Sequence, residues 1–351
     1  MQDYNNKNGG YINKPKQITI LLILLLFENI YKKKAKIKNN PKISIFLPIY
    51  NKAVYLKNSI KSIQIQTLKN IEIIAINDCS KDNTLEVLMK MAKKDSRIKI
   101  FTNNKNRGLL YSRAMGILNS RGEYLMNLDP DDELYSSDNL EYLYNITKKS
   151  KIDVISFGFI KQNNLNISKH YLCSNFNKIH FQPEIINTYY NKIDYLLWNK
   201  LVKRKLFLKV YQIFKEKIYS VRWNYNEDEI WSALINKYAN SKFCVKKIIY
   251  KYKKNPDSLL ANKFNLLYIK NLIYWIELFT KLFNNEIGKI LLIDRFNELI
   301  KRINDNTTFF LNIFNKNSDI KNKYIKILKN IKNKYIFNNS KLNNIIEILK
   351  I

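Results

Sequence analysis

Three aspartates occur within four residues, at Asp129, Asp131 and Asp132, directly after the apolar stretch YLMNL. Neighbouring carboxylates repel one another unless a cation compensates their charge. Mg²⁺ and Mn²⁺ prefer oxygen ligands, and Mg²⁺ usually takes one or two carboxylates together with substrate phosphates. The spacing therefore predicts a divalent-metal site for a phosphate-bearing ligand at Asp129 and Asp131. A solvated acidic turn, with Asp132 starting a helix, is the alternative.

Few other residue patterns in the chain could do chemistry. There are 2 His and 3 widely spaced Cys, which argues against a Ser-His-Asp triad and against a zinc site of paired cysteines. The 7 Gly are too scattered for either glycine-rich phosphate loop, G-x-G-x-x-G or G-x-x-x-x-G-K-S/T. A nucleotide is then expected to be held through a metal on its diphosphate.

The elements that must position the aspartates alternate regularly from residue 42 onwards. Apolar, β-branched stretches predict strands at Lys42–Leu47, Ile71–Ile76, Arg97–Phe101, Glu123–Leu128 and Asp153–Phe159. Apolar residues at helical spacing predict helices between them, at 53–66, 83–94, 108–119 and 138–149. This order predicts an α/β fold with a mostly parallel sheet flanked by helices. In such sheets ligands bind at the carboxyl ends of the strands, where the aspartates lie.

The pattern loosens after about residue 165. Helices are predicted at Asp194–Tyr211, at Glu227–Tyr238 and over most of 262–351, where Ile, Leu and Phe recur at helical spacing. We therefore divide the chain into an N-terminal segment 1–40, an α/β domain 41–260 and a helical C-terminal extension 261–351.

The N-terminal segment is polar and predicted to be disordered, except for an apolar stretch at 18–31. That stretch is shorter than the roughly 17–25 residues of a membrane-spanning helix. Its length and flanking lysines fit the apolar core of a signal peptide or a short membrane anchor. A peripheral helix packed on the domain is the alternative.

The charge balance gives a weaker indication of function. Among 351 residues, 61 Lys and Arg outnumber 29 Asp and Glu, for a formal net charge of +32. Hydrophobic residues make up 46% of the chain, enough for a core, which excludes a wholly disordered protein. Because no nucleic-acid-binding motif accompanies the lysines, nucleic acid is not an expected partner. An acidic substrate or an anionic membrane surface is a possible partner. The alternative is that the lysines are mostly solvated surface residues that reflect the composition of the chain.

Three motifs follow one another at the strand ends: PKISIFLPIYN, IAINDCSKDNT and NRGLLYSRAMGILNSRGEYLMNLDPDDEL. Together they resemble the family 2 glycosyltransferases, whose GT-A fold is a Rossmann-like nucleotide-sugar-binding fold. The likeness covers about residues 42–160 and extends more weakly to about 260. It implies a metal-dependent, inverting transferase that uses Mn²⁺ or Mg²⁺ and a nucleotide-sugar, with UDP as the expected carrier.

The resemblance also assigns roles to individual residues. Asp78 matches the residue that bonds the base, Asp129 contacts ribose, and Asp129 with Asp131 holds the metal, with Asp132 in support. The nucleotide-sugar site that it implies comprises Pro48, Tyr50, Asn51, Asp78, Arg113 and Asp129.

A later segment, NEDEIWSALI, is similar to the family's Glu-Asp motif, which opens a helix and supplies the catalytic base. Asp228 then takes the proton of the acceptor hydroxyl, and Glu227 supports it. Such a base must reach the proton within about 2.6–3.2 Å in a productive pose. Since acids are favoured in the first turn of any helix, a purely structural role is the alternative.

Two local departures affect this assignment. Cys79 replaces the usual Gly of the second motif, which costs conformational energy if its φ is positive. Ala114 replaces the Asn that usually follows the motif's Arg, here Arg113. A third departure narrows the class, because Tyr219 stands where processive polysaccharide synthases have the Gln of Gln-x-x-Arg-Trp. We therefore predict a non-processive enzyme.

The acceptor implied by the resemblance is a glycan, a lipid or a protein. The apolar N-terminal stretch predicts membrane association, in the ER or Golgi if the chain is secreted. In that case Asn145, Asn166 and Asn306 would head glycosylation sequons. A different class of protein is a catalytically inactive GT-A domain that serves as a binding or scaffold protein. Loss of the key aspartates would have favoured it, and they are present.

Overall fold

The computed structural model describes residues 40–162, 166–171, 176–182, 184–185, 195–255 and 266–282, with isolated helical positions between 318 and 329. The apolar stretch 18–31 and most of the extension 261–351 lie outside the described residues. No helix in the described ranges combines the length and apolarity that a membrane span requires.

In the described residues, ten strands form one sheet. In chain order they are β1 (Ile43–Ile49), β2 (Ile71–Asn77), β3 (Ile98–Thr102), β4 (Tyr124–Asn127), β5 (Glu133–Leu134), β6 (Val154–Gln162), β7 (Ile167–His170), β8 (Ile179–Phe181), β9 (Lys200–Lys203) and β10 (Ser241–Lys253). The helices of the described ranges are α1 (Ala53–Gln64), α2 (Thr84–Ala92), α3 (Leu109–Asn119), α4 (Asn139–Lys149), α5 (Arg204–Ser220), α6 (Glu227–Tyr238) and α7 (Leu266–Leu282).

The strand order is β3-β2-β1-β4-β9-β6-β10-β5, with β7 beside β6 and β8 beside β10. Strands β3, β2, β1 and β4 run parallel to one another, and β6 runs parallel to β10, whereas β9 is antiparallel to both β4 and β6. The chain enters the sheet at β1 and builds outwards on both sides of it. The boundary between β1 and β4 is therefore a topological switch point, the usual place for a ligand crevice.

Strand β1 is buried along its whole length, because helices cover both faces of the sheet. On what we name the α3 side, Phe46 packs with Leu110 and Ala114. On the opposite α1 side, Ile45 and Leu47 pack with residues of α1 and α4. The continuous apolar run in the sequence is the signature of this two-sided burial.

Pro48 was expected to end the first strand, but β1 continues to Ile49. The pairing of β1 with β4 has already stopped at Phe46, while β2 still pairs with Pro48 and Ile49. Proline is tolerated there because one side of the strand no longer needs a backbone donor.

Two predictions for the second half of the chain were wrong. The helix predicted over Asp194–Tyr211 includes β9, and the helix that follows it, α5, runs on to Ser220. Strand β10, 13 residues long, was missed. Its lysines and two register shifts, between Val245 and Ile248 and between Ile248 and Tyr250, break the alternation that would have revealed it.

Candidate active site

The carboxyl ends of β1, β2 and β4 meet at one edge of the sheet. Ile49 is paired with Asn77 across β1 and β2, and Phe46 is paired with Asn127 across β1 and β4. Because these three strands are parallel, the loops that follow them leave the sheet on the same side. All three predicted motifs therefore converge on one crevice, as the strand order requires.

Asp129 lies two residues beyond β4 and is held from the α3 side. Its Oδ1 accepts hydrogen bonds from Asn127 Nδ2 at 2.8 Å and from Arg113 Nη2 at 3.2 Å. The backbone amide of Asp129 donates to the hydroxyl of Tyr250 at 3.2 Å. These contacts fix the carboxylate in place through Oδ1 and leave Oδ2 without a hydrogen bond from the described residues.

Asp131 is held from the other side of the loop. Its Oδ2 accepts from Lys52 Nζ and from Asn255 Nδ2, each at 2.8 Å. Asn255 is itself bonded to the hydroxyl of Tyr55 at 2.9 Å. Segments 79 and 124 residues away in sequence therefore meet on one carboxylate oxygen.

These two carboxylates fit a divalent cation that also binds a diphosphate. Asp129 Oδ2 and Asp131 Oδ1 accept no hydrogen bond from the described part of the chain, and the two side chains are 23% and 17% exposed. Within the same ranges no group of three or more His, Cys, Asp or Glu could hold a metal by itself. One free oxygen from each of two carboxylates suits an ion whose other ligands are phosphate and water.

Asp132 has a different environment from its two neighbours. It is buried, and its carboxylate accepts from the Tyr250 hydroxyl at 2.7 Å and from the backbone amide of Lys253 at 2.8 Å. Burial raises its pKa well above the ordinary value, and the charges of Asp129 and Asp131 raise it further. Asp132 thus ties the acidic loop to the end of β10, which agrees with a supporting role.

Arg113 connects the acidic loop at Asp129 with the start of α6 at Glu227. Its guanidinium is buried, with 3% of the side chain exposed, and forms ion pairs with Asp129 and Glu227. Its Nε donates to Asn127 at 3.3 Å. Although burial opposes it, the acidic neighbours Glu227, Asp129 and Asp228 raise the pKa of Arg113, so it stays charged. Arg113 was predicted to contact the nucleotide. In the structure its guanidinium is bonded to protein groups, including Asp129.

Glu227 and Asp228 open helix α6, as predicted. The preceding residue, Asn226, has a φ of 57°, which turns the chain sharply into the helix. Glu227 is buried and its pKa is raised by burial, against the charge of Arg113. Asp228 is half-buried and forms no ion pair within the described ranges. Burial and the charge of Asp129 raise its pKa, which Arg113 lowers. A carboxylate with these properties can accept a proton.

Asp78 organises the loop that precedes α3. Its Oδ1 accepts from Asn103 Nδ2 at 2.7 Å and from the amide of Arg107 at 2.8 Å, and its Oδ2 accepts from the amide of Gly108 at 2.8 Å. Gly108 has a φ of 91°, and a Cβ there would lie 2.8 Å from Asn224 Oδ1. The predicted base-binding residue is thus at the site and also holds the start of α3.

The loop after β1 is bonded to the loop after β2. Asn51, with a φ of 51°, accepts at Oδ1 from the amide of Lys81 at 2.8 Å and donates its own amide to Ser80 Oγ at 3.0 Å. Pro48 is buried in β1, whereas Tyr50 is 37% exposed at the rim. Cys79 has a φ of 59°, so the Cys-for-Gly departure does carry a conformational cost.

Four residues of the site were not predicted: Lys52, Asn127, Tyr250 and Asn255. Lys52 and Asn127 are close in sequence to the motifs, and their polar groups next to a strand end were the available signal. Tyr250 and Asn255 reach the acidic loop from the end of β10, the strand that the sequence pattern did not reveal.

Comparison with known proteins agrees with this geometry. The family description "Glycosyl transferase family 2" matches residues 44–210. Over these residues, just under half of its length, the chain is similar to glycosyltransferase family 2. A relative named "Uncharacterized glycosyltransferase EpsJ", from Bacillus subtilis, is 29% identical over 62% of this chain and 63% of its own. The "Cholesterol galactosyltransferase" of Borreliella burgdorferi is 36% identical over 48% of this chain and 49% of its own.

The fold agrees with that of solved structures. S. aureus TarS 1–349 in complex with UDP-GlcNAc matches with a TM-score of 0.57 and 15% identity, over 87% of this chain and 84% of the TarS 1–349 chain. The predicted α/β fold of the GT-A type is therefore confirmed. The chain spans about half to just under two thirds of the two curated relatives it matches.

Proposed function

We propose that this protein is a family 2 glycosyltransferase that transfers a sugar from a UDP-sugar to a hydroxyl acceptor, with inversion at the anomeric carbon. The acceptor oxygen bonds to the anomeric carbon as the bond from that carbon to the diphosphate oxygen breaks. Asp228 takes the hydroxyl proton, and UDP leaves with the electron pair of the broken bond.

One observation carries this proposal: Arg113 links the start of helix α6 to the acidic loop after β4. It pairs with Glu227, next to Asp228, and with Asp129 at 3.2 Å. A proton acceptor and a diphosphate site must be held at a fixed separation for an in-line displacement, because reaction rates depend steeply on alignment. A buried, charged guanidinium between the two provides that fixed separation.

The different roles proposed for the carboxylates follow from their environments. Asp129 Oδ2 and Asp131 Oδ1 would hold Mn²⁺ or Mg²⁺, which when bound stabilises negative charge on the departing diphosphate. Asp228 has its pKa raised, so it is a better base than an ordinary aspartate. Asp78, Tyr50 and Asn51 would bind the nucleoside at the rim of the same crevice.

We further propose a non-processive enzyme with a lipid-linked or glycan acceptor. Tyr219 in place of the Gln of processive synthases supports the first point. The similarity to the cholesterol galactosyltransferase of Borreliella burgdorferi supports a membrane-borne acceptor. Peripheral contact with a membrane would be sufficient to reach it.

Donor binding and the role of Asp228 can be tested together. A panel of UDP-glucose, UDP-galactose, UDP-GlcNAc and UDP-GalNAc with Mn²⁺ should include one that raises the unfolding temperature, since ligands that bind only the native state stabilise it. With that donor, Asp228→Asn should retain the stabilisation and lose UDP release to water or acceptor by about 100-fold or more.

Asp153→Asn is the matched control, because Asp153 is a partly buried acid at the opposite edge of the sheet, paired with Lys203 at 3.3 Å. It should release UDP at the wild-type rate. Full activity of Asp228→Asn would contradict the base assignment, and loss of donor binding in that variant would make Asp228 structural. No UDP release with any donor would favour the inactive-domain alternative.

A further inference from the structure

The segment 222–226 delivers the proposed base to the site, because Asp228 follows it by two residues at the start of α6. It has no regular secondary structure and ends in the left-handed residue Asn226. A segment of this kind depends on outside partners for its backbone groups. Those partners determine where α6 begins.

One side chain of α7, Asn271, satisfies three of these backbone groups. Its Oδ1 accepts from the amides of Asn224 at 2.8 Å and Tyr225 at 3.3 Å, and its Nδ2 donates to the carbonyl of Arg222 at 2.9 Å. Asn271 is fully buried. A buried amide that uses both its oxygen and its nitrogen in this way fixes position and direction at once.

The same face of α7 packs against the segment on either side of Asn271. Tyr268 packs edge to face on Tyr225, with ring centroids 5.3 Å apart. The ring centroids of Tyr274 and Trp223 are 6.2 Å apart. Tyr268 precedes Asn271 by three residues and Tyr274 follows it by three, so all three side chains point from one side of the helix. The hydrogen bonds therefore lie within a packed interface.

The other side of the segment is bonded to α3. The carbonyl of Trp223 accepts from the amide of Leu110 at 3.0 Å, and Asn224 Oδ1 accepts from the amide of Leu109 at 2.9 Å. The start of α3 has its own anchor in Asp78, through the amide of Gly108. The donor side of the site thus keeps a support that does not depend on α7, whereas segment 222–226 relies on Asn271 for three of its backbone groups.

We propose that Asn271 is a positioning residue for the reaction: by clamping Arg222, Asn224 and Tyr225, it sets the place of Asp228 relative to the donor. This inference rests on the proposed function, in which Asp228 is the base. It gives a positioning role to the predicted C-terminal extension, which lies outside the residues matched by the family description.

Asn271→Ala should lower kcat for UDP release about 10- to 100-fold, because small misplacement of a reacting group has effects of this size. The dissociation constant for UDP with Mn²⁺, measured by titration calorimetry, should stay within about twofold of wild type, as expected for loss of an interaction that acts on the transition state. A loss of kcat at unchanged donor affinity separates positioning from general loss of structure.

Asn139→Ala is the matched control. Asn139 is also a fully buried helical asparagine, whose Nδ2 donates to the carbonyl of Ile249 at 2.9 Å, but it lies in α4 on the α1 side of the sheet. Both alanine variants should lower the unfolding temperature. Only Asn271→Ala should lower kcat beyond twofold once the folded fraction is accounted for.

A second variant, Asn271→Asp, keeps the oxygen that receives two amides and removes the donor to the Arg222 carbonyl. It should lose less activity than Asn271→Ala and remains informative if the alanine variant does not fold. The inference is wrong if the Asn271 variants that fold lower kcat no more than Asn139→Ala does. It is also wrong if their donor affinity falls as much as their kcat. Full activity of Asp228→Asn would instead contradict the base assignment on which the inference rests.

Discussion

At the scale of single residues, the site is a problem of charge compensation. Asp129, Glu227 and Asp228 all raise the pKa of one buried guanidinium, that of Arg113. Removing one partner of a buried ion pair is costly, about 3–5 kcal/mol, because the other charge is left without compensation. The arginine is therefore as much a part of the structure as of the site, and it explains how so many acids can lie together.

Lys52 compensates the charge of Asp131, as Arg113 does for Asp129, and this leads to a prediction. Its ammonium lies 2.8 Å from Asp131 Oδ2, where it repels any cation that approaches the same carboxylate. Lys52→Met keeps the length of the side chain and removes the charge. We expect Mn²⁺ to bind at least about threefold more tightly without nucleotide, in titration calorimetry.

Lys90→Met is the control for this change, since Lys90 pairs with Glu86 on the exposed surface of α2. Its Mn²⁺ affinity should equal that of the wild type. Weaker or unchanged Mn²⁺ binding by Lys52→Met would show that the lysine does not compete with the metal, and would count against a metal on Asp131.

At the scale of elements, the close packing of α3 on β1 determines where Arg113 lies, because α3 carries Arg113. Gly116 makes this approach achievable: a Cβ there would lie 2.8 Å from Cδ2 of Phe46. We predict that Gly116→Val lowers the free energy of unfolding by about 1–3 kcal/mol, the usual cost of overpacking a core. Urea unfolding would measure it.

Met89→Val, at a position of α2 that is 54% exposed, controls for the lower helix propensity of valine. It should cost less than about 1 kcal/mol. A double variant, Phe46→Leu with Gly116→Val, should recover part of the loss, because the smaller side chain makes room for the valine. A Gly116→Val protein as stable as the wild type would mean that α3 does not pack this closely on β1.

The first half of the element pattern was predictable from sequence, and the second half was not. Strands β1, β2 and β4 are short apolar runs between polar turns, since helices bury both faces of each. Strand β10 gains its place through pairing with β6 and β5, while its own sequence alternates poorly. Where tertiary pairing rather than local pattern decides the structure, a pattern-based prediction fails.

At the scale of the whole molecule, the net charge of +32 leads to one more prediction. A strongly basic protein is attracted to anionic lipid surfaces, and salt screens that attraction. We expect the full chain to sediment with phosphatidylglycerol vesicles at low salt and to be released at about 0.5 M NaCl, where the Debye length is a few Å.

Phosphatidylcholine vesicles are the control, because they offer a bilayer without net charge. Equal binding to both kinds of vesicle would point to insertion of an apolar segment instead of charge attraction. No binding to either would remove the support for membrane association.

The sequence by itself determined which acids could do chemistry, and the strands and helices that carry Asp78, Asp129, Asp131 and Asp228. It could do so because strand ends, caps and apolar periods are local properties. Only the tertiary structure decided that Arg113 is buried between Asp129 and Glu227, that Lys52 and Asn255 share Asp131, and that Asn271 holds the approach to α6. Those contacts join residues between 16 and 124 positions apart. No local pattern encodes such pairs, because their energy arises only when the fold removes their charges and amides from water.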